Sequence, residues 1–267
     1  MRKKVSRRKI LKEKKAASPA ISMVVITAAT VMLVLIAGSF ATQVLDRQQA
    51  STEFNAIQKS ILALDDAVRD IAWKESASRS VRFTTSRGTF QTISTTRSVE
   101  IKFNNGSIGT PIQTSIIKYI MPDSYIALEG EDYYIIGKPD PLVSSVSDSL
   151  GQVWLAHEPG FVSISLGYRV RVSNEGNYDV QGVLTSYVNI YVIRLSSSDF
   201  SSVKGDFDIV ARNTGVTTNS YPFTNNSPGN HPIHIFIDGQ QGPDVSLYLT
   251  GEQVIFNVII SDVSLGI

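Results

Sequence analysis

A run of thirty residues without a charged side chain, from Ala16 to Leu45, is the feature that most constrains what this chain can fold into. Nine of the 25 basic residues lie in the fifteen residues before it. At a rise of about 1.5 Å per residue, a helix of this length crosses a bilayer core about 30 Å thick. Because positive charge is retained on the cytoplasmic side of a membrane, we expect the amino terminus inside the cell and the rest of the chain outside.

Charge and cysteine content narrow the classes of protein to which the remainder of the chain can belong. The net charge is +1, but the basic residues at the amino terminus leave 16 basic and 23 acidic residues beyond residue 15. Such an acidic body argues against nucleic acid as a partner. The chain has no cysteine, which excludes disulfide bonds and thiolate zinc sites.

Three fates are open to the apolar segment. It can remain as an uncleaved anchor, or it can be a secretory signal peptide that is cut after Ser39-Phe40-Ala41. Its apolar core is longer than the roughly 7 to 15 residues expected of a removable signal. In the third case the cut falls before the apolar run, and the hydrophobic helix stays in the mature protein.

The residues Lys15-Ala16-Ala17-Ser18-Pro19, followed by the unbroken apolar run, support the third fate. Over residues 12–45 the chain resembles the archaeal type IV pilin-like family (class III signal peptide), which includes adhesive pilins and archaellins. Precursors in this family carry a short basic leader, a basic residue, and then Gly or Ala at the cut. The resemblance implies a processing site at Lys15, Ala16 and Ala17, with cleavage after Ala16, although Ala stands where Gly is commoner.

The same resemblance implies a function. A pilin-like surface protein of this kind uses its hydrophobic helix for membrane anchoring and filament assembly. Because the predicted β-domain is large beside an abundant filament subunit, we expect a minor or tip pilin, and the lack of catalytic motifs predicts that it is not an enzyme. Its partners would be membrane lipid, a prepilin peptidase and other pilin-like subunits, with no cofactor and no nucleic acid. The alternative is an uncleaved single-pass membrane protein whose extracellular domain is a binding or adhesion module.

The helix is expected to continue beyond the apolar run, because residues 46–76 contain neither Gly nor Pro. We predict one helix over residues 18–75. Its second half carries a single apolar seam at three- and four-residue spacing. The seam consists of Phe54, Ile57, Ile61, Leu64, Val68 and Ile71, with Glu53 and Asp65 among the charged residues off it. The seam can pack on the protein's own β-domain or meet neighbouring helices in a filament.

From Ser80 onward the hydrophobic pattern alternates with a period of two, which predicts an antiparallel β-domain of eight to eleven strands. The fold class is therefore α+β, a long amino-terminal helix followed by an antiparallel β-sheet or sandwich. The predicted domains are a basic leader (1–16), a hydrophobic helix (17–45), an amphipathic stalk (46–77) and an extracellular β-domain (78–267), with two sub-sheets divided near 137–151.

Several strands and turns are specific predictions. Asn104-Asn105-Gly106 predicts a hairpin turn, and Glu129-Gly130-Glu131-Asp132 predicts another. We also predict one strand over Val162–Val172, a central strand over Val183–Ile193, a hairpin of Val245–Leu249 with Val254–Ile260, a loop or short helix over 137–151, and exposed loops over 196–231.

The search for chemistry yields no catalytic or metal-binding motif. His231 and His234 would point to opposite faces of a strand and so do not form a metal pair. Asp206 and Asp208 lack the Gly and the final Glu of a calcium loop. Two sequons, at Asn105 and Asn225, predict N-glycosylation sites in turns or loops.

Overall fold

The computed structural model of the protein describes residues 7–104, 106–126, 133–197, 202–225 and 227–267, with the backbone alone at 7–20 and 93–96. Within these residues, one helix precedes fourteen strands. The elements are α1 (Arg7–Ile71), β1 (Ser78–Phe103), β2 (Gly106–Ser107), β3 (Ile112–Pro122), β4 (Tyr133–Ile136), β5 (Leu142–Val143), β6 (Gly151–Glu158), β7 (Phe161–Tyr168), β8 (Val170–Val180), β9 (Val183–Ser197), β10 (Ser202–Thr224), β11 (Gly229–Ile237), β12 (Gln240–Gln241), β13 (Val245–Leu249) and β14 (Gln253–Gly266).

The helix α1 is longer at its start than the sequence predicts. It includes residues 7–17, upstream of the predicted start at Ser18-Pro19, because this stretch consists mostly of strong helix formers such as Lys, Arg, Leu and Ala. At its other end α1 stops at Ile71, where the side-chain amide of Asn213 donates hydrogen bonds to the carbonyl oxygens of Ile71 (3.0 Å) and Ala72 (2.6 Å). The hydroxyl of Ser261 also donates to Ala72 O. These side chains cap carbonyl groups that have no partner inside the helix.

The fourteen described strands, more than the eight to eleven predicted, join in one hydrogen-bonded sheet. The main path of the sheet is β4-β6-β7-β3-β1-β10-β14-β9-β8-β5. This confirms an α+β protein in which a long apolar helix precedes a mostly antiparallel β-domain; the sandwich alternative is not confirmed. Two pairs are parallel, which the antiparallel prediction missed. Strand β14 pairs with β9 from Gln253–Thr185 to Leu265–Ser197, and β5 pairs with β8.

Three strand predictions are wrong in detail. The strand predicted over Val162–Val172 is divided at Arg169 into β7 and β8. The region 196–231, predicted as exposed loops, contains the 23-residue strand β10, because its apolar residues alternate and its Thr residues suit a pleated surface. Strands β13 and β14 do not form the predicted hairpin. Instead, β13 pairs with β11, whereas β14 pairs with β10 and β9.

Other strand predictions are confirmed. Strand β9 is central, with β8 on one side and β14 on the other. The turn at Asn104 joins β1 to β2, where Phe103 lies opposite Gly106, and Asn104 has the positive φ (45°) that such turns require. The predicted hairpin at Glu129–Asp132 lies outside the described residues.

The segment between β4 and β6 has little regular structure of its own. It contributes only β5 to the sheet, and the buried guanidinium group of Arg169 holds the rest in place. This group donates to the carbonyl oxygens of Asp140 (2.7 Å), Ser149 (3.2 Å) and Leu142 (3.3 Å). The segment is therefore an ordered loop, as predicted, and not a short helix.

The apolar seam of α1 packs on the protein's own sheet, which confirms the first of the two interpretations. All six seam residues are at most 5% exposed. They share one core with side chains from β1, β3, β6, β7, β10 and β14. Fully burying a side chain of this size contributes about 1.5–3 kcal/mol, so the seam is a major source of stability. The second core lies among β1, β8, β9, β11, β13 and β14, and it contains none of the α1 residues whose side chains are described.

The chain divides into two compact units, Met1–Gln49 and Ala50–Ile267. The boundary falls inside α1, where the exposed residues of the apolar run give way to buried ones beginning at Ala50. The second unit therefore includes the last part of α1 together with the entire sheet.

The carboxylate of Glu53 fastens the second unit's part of α1 to a bulge in β1. It accepts hydrogen bonds from the backbone N–H groups of Ser86 (3.0 Å), Arg87 (3.0 Å) and Gly88 (3.1 Å), and from the hydroxyls of Ser86 (2.5 Å) and Tyr119 (2.8 Å). A Cβ at Gly88 would lie 2.1 Å from the Tyr119 hydroxyl, so this position needs glycine. Burial by itself would raise the pKa of Glu53, but the hydrogen bonds outweigh it and lower the pKa to about 2.

We predict that Glu53→Gln lowers the free energy of unfolding at pH 7 by about 1–3 kcal/mol, because an amide replaces a carboxylate that accepts several hydrogen bonds. The folded-state pKa of Glu53 lies below its ordinary value of 4.5. Its contribution is therefore complete above that value and is lost as the pH falls towards 2. Denaturant unfolding of the full-length protein in detergent should show the difference between wild type and variant narrowing from pH 7 to pH 3.

The matched control is Glu175→Gln, because Glu175 is an exposed acid on β8. It should leave the free energy of unfolding nearly unchanged at both pH values. Equal effects of the two substitutions would contradict the role given to Glu53.

Candidate functional site

The apolar segment Ile21–Leu45 of α1 is the most unusual surface in the described part of the chain. It is apolar around the whole helix rather than along one stripe. Fourteen large hydrophobic side chains in it are between 53% and 73% exposed: Ile21, Met23, Val24, Val25, Ile26, Val31, Met32, Leu33, Val34, Leu35, Ile36, Phe40, Val44 and Leu45. A helix that is hydrophobic all round is stable in a protein core or in a membrane, and an exposed patch of this extent marks an interaction surface.

The three threonine hydroxyls of this segment bond to the helix itself. The hydroxyl of Thr27 donates to Met23 O and that of Thr30 to Ile26 O, each at 2.8 Å. Thr42 donates to Ser39 O at the same distance. These hydroxyls therefore need no water, which is the condition for a helix that lies in hydrocarbon.

The length of the segment also fits a bilayer. Its 25 residues span about 37 Å as a helix, more than the roughly 30 Å of a hydrocarbon core. Among the described residues, one helix, α1, is long and apolar enough to cross a membrane. None of its most apolar stretch is buried within the protein. The chain thus carries one potential membrane-spanning helix near its amino terminus.

The predicted processing site lies in the helical backbone before this segment. Lys15, Ala16 and Ala17 belong to α1, and the structure describes their backbone alone. Cleavage after Ala16 would leave the entire exposed segment in the mature chain. The assignment of the cut stays a prediction.

The two predicted glycosylation sites differ in what the structure describes. Asn105 lies outside the described residues. Asn225 is 6% exposed, and its side-chain nitrogen donates to Gly251 O at 2.9 Å while its oxygen accepts from the backbone N–H of Ser227 at 3.4 Å. The acceptor nitrogen is thus engaged within the fold, so a glycan would have to be attached before this region folds. Glycosylation at both positions stays a prediction.

The histidines do not converge on a common site. His231 bonds through its ring to Ser227 O, whereas His234, on the other face of β11, contacts the carboxylate of Asp244 at 2.6 Å. His157 lies 3.9 Å from Asp123. Within the described ranges, no three His, Asp or Glu side chains come close enough to hold a metal ion.

Two acids that the sequence placed off the seam are structural residues. Glu53 binds the bulge in β1, and Asp65 is completely buried, with Arg69 Nε 2.9 Å from its Oδ2. Burial raises the pKa of Asp65. A Cβ on Gly151 would lie 2.1 Å from Asp65 Oδ1, so glycine there makes room for the acid. In the sequence, the four-residue spacing of Asp65 and Arg69 is the pattern that could have predicted this ion pair.

Comparisons with protein-family models, with curated proteins and with solved structures find no significant match. The functional assignment therefore rests on the residues and geometry described above.

We predict that Val31→Arg weakens membrane insertion, because an arginine near the middle of a spanning helix costs about 2.5–3.5 kcal/mol. The variant protein should shift from the carbonate-resistant membrane fraction to the soluble or aggregated fraction. Immunoblotting of fractionated cells measures the shift.

The control is Ala56→Arg, which introduces the same charge at an exposed position of α1 within the second unit. It should leave the membrane fraction unchanged. Membrane retention of both variants at the wild-type level would show that Ile21–Leu45 does not span the bilayer.

Proposed function

We propose that this chain is a single-pass, membrane-anchored surface protein of the type IV pilin kind, whose apolar helix serves first as anchor and then as assembly element. The observation that carries the proposal is the change along α1 from a helix exposed and apolar on every side (Ile21–Leu45) to one buried on a sheet (Ala50–Ile71). In water, the first half would expose a large apolar surface, whereas a membrane or a bundle of similar helices would bury it.

The basic residues before the helix support the orientation. With nine Lys or Arg in the first fifteen residues, the amino terminus would stay in the cytoplasm and the acidic β-domain would lie outside the cell. A prepilin peptidase acting at the membrane surface would then cut after Ala16. The new amino terminus at Ala17 would start the hydrophobic helix directly, with no charged side chain before Asp46.

The packing of α1 limits how subunits would meet. The seam from Phe54 to Ile71 is already buried on the sheet of the same chain, so it is not available to a neighbouring helix. Apolar helix–helix contacts between subunits would therefore involve Ile21–Leu45. Small residues in this stretch, such as Ala28, Ala29 and Gly38, would allow close approach of helices in a lipid or filament environment.

The proposed role is not enzymatic. We propose that the protein is a minor or tip subunit of a surface filament. In the alternative, the leader is never cut, and the β-domain serves as a binding or adhesion module on a permanent anchor. The two functions share the membrane helix and differ in the mature amino terminus.

We predict that Ala16→Asp blocks maturation, because a charged side chain replaces the small residue before the cut. Intact-mass analysis of the protein from native membranes should show wild type beginning at Ala17 and the variant beginning at Met1. The control is Ala16→Gly, which places the family's commoner residue at the cut and should be processed normally.

Three other results would contradict the proposal in different ways. Normal processing of Ala16→Asp would remove the cut-site assignment. A wild-type chain that keeps Met1 would indicate the permanent anchor, and one that begins at Thr42 would indicate a secreted domain.

A further inference from the structure

An open cleft of about 390 Å³ lies where β1 meets the turn between β11 and β12. Its walls come from three parts of the second unit: Arg97 of β1, the prolines Pro139 and Pro141 before β5, and the stretch from Ile237 to Pro243. The volume lies within the roughly 300–1,000 Å³ of typical small-molecule sites. The cleft is independent of the apolar helix and of the proposed function.

Hydrogen bonds from backbone N–H groups fix the walls of this cleft. The N–H of Asp238 donates to Ser98 O at 2.9 Å, and the carboxylate of Asp238 accepts from the N–H of Ser98 at 2.7 Å. The N–H of Gly242 donates to Ile235 O at 2.8 Å, and a Cβ on Gly242 would lie 2.7 Å from Pro141 Cγ. The turn and the proline segment are therefore in close contact, which fixes the shape of the cleft.

The guanidinium group of Arg97 is the unexplained feature of the cleft. It is half-buried, and its Nη1 donates to the side-chain oxygen of Gln152 at 3.3 Å. Gln152 is buried and donates in turn to Lys138 O, so it holds Arg97 in position. Within the described ranges, no carboxylate lies at ion-pair distance from this guanidinium.

Burial lowers the pKa of Arg97, although a guanidinium group remains charged at neutral pH. The nearby charge of Asp238 offsets this effect in part. A half-buried cation that is bonded to a neutral amide has donors left for a further acceptor. The cleft wall thus presents a charged donor group that can bind an anion.

We propose that this cleft binds a carboxylated sugar of the uronic acid class, with the carboxylate on Arg97. A guanidinium group binds a carboxylate through two parallel N–H···O bonds, and such charge-assisted pairs are stronger than bonds to neutral oxygens. The remaining volume exceeds what a carboxylate fills. The pyrrolidine rings of Pro139, Pro141 and Pro243 offer apolar surface to a sugar ring, and Gln240 offers an amide to its hydroxyls.

Asp238 gives the site its selectivity. Its carboxylate is on the cleft wall and interacts electrostatically with Arg97, so the site carries little net positive charge. We therefore expect a ligand with a single carboxylate and several hydroxyls rather than inorganic phosphate. A peptide carboxyl terminus presents the same group without the hydroxyls, and it is an outcome that the experiment distinguishes.

The test is isothermal titration of the full-length protein in detergent with four probes: D-glucuronate, D-glucose, N-acetylalanine and inorganic phosphate. Glucuronate should bind more tightly than the other three. Arg97→Gln should weaken glucuronate binding about tenfold or more, since it removes a charge-assisted hydrogen-bond pair. Arg82→Gln, at an exposed arginine of the same strand, is the matched control and should bind like wild type.

A second variant tests whether the negative charge of Asp238 weakens the binding of glucuronate. Asp238→Asn keeps an oxygen to accept from Ser98 and tolerates the positive φ of 52° at this position. Because it removes the competing negative charge, it should tighten glucuronate binding several-fold and leave glucose binding unchanged. Circular dichroism verifies that each variant is folded.

Four results would overturn the proposal: no glucuronate binding at concentrations on the order of 10 mM, equal binding of glucuronate and glucose, N-acetylalanine or phosphate binding at least as tightly as glucuronate, or an Arg97→Gln protein that is folded and binds normally. None of these depends on whether the leader is cleaved.

Discussion

The buried seam of α1 is the contact on which the rest of the second unit depends. Six apolar side chains lie between the helix and the sheet, and hydrogen bonds close both ends of this interface. At one end Glu53 binds the β1 bulge, and at the other Asn213 and Ser261 cap the last carbonyl groups of the helix. The seam thus fixes where the helix meets the sheet, and it leaves Ile21–Leu45 without a partner in the described residues of the chain.

Much of this arrangement is predictable from local pattern. The spacing of the seam, the switch to a period of two and the turn at Asn104 each follow from residues close together in sequence. The pairing of β9 with β14 does not, because the two strands are separated by the whole of β10 to β13 and no short turn sets their register. Strand β10 was missed because Ser, Thr and Asn are common in both loops and solvent-facing strand positions.

Some candidate sites can likewise be predicted from local sequence, and others cannot. The apolar segment and its basic flank are evident in sequence, because length and absence of charge suffice to define a spanning helix. The roles of Glu53 and Asp65 are not evident, since each depends on backbone or glycine positions far away in the chain, at Gly88 and Gly151. The cleft at Arg97 likewise joins three distant segments, which only tertiary folding brings together.

The central claim is that one helix has two environments, lipid or neighbouring helices for Ile21–Leu45 and the sheet for Ala50–Ile71. The chain has no cysteine, so single spin labels can be placed along α1 and their exposure to oxygen and to a water-soluble nickel complex measured in native membranes. Labels at Val24 and Leu33 should be reached by oxygen alone, a label at Ala56 by the nickel complex, and a label at Ile61 by neither. If the nickel complex reached Val24 and Leu33 as readily as Ala56, the apolar half of the helix would lie in water and the account would be wrong.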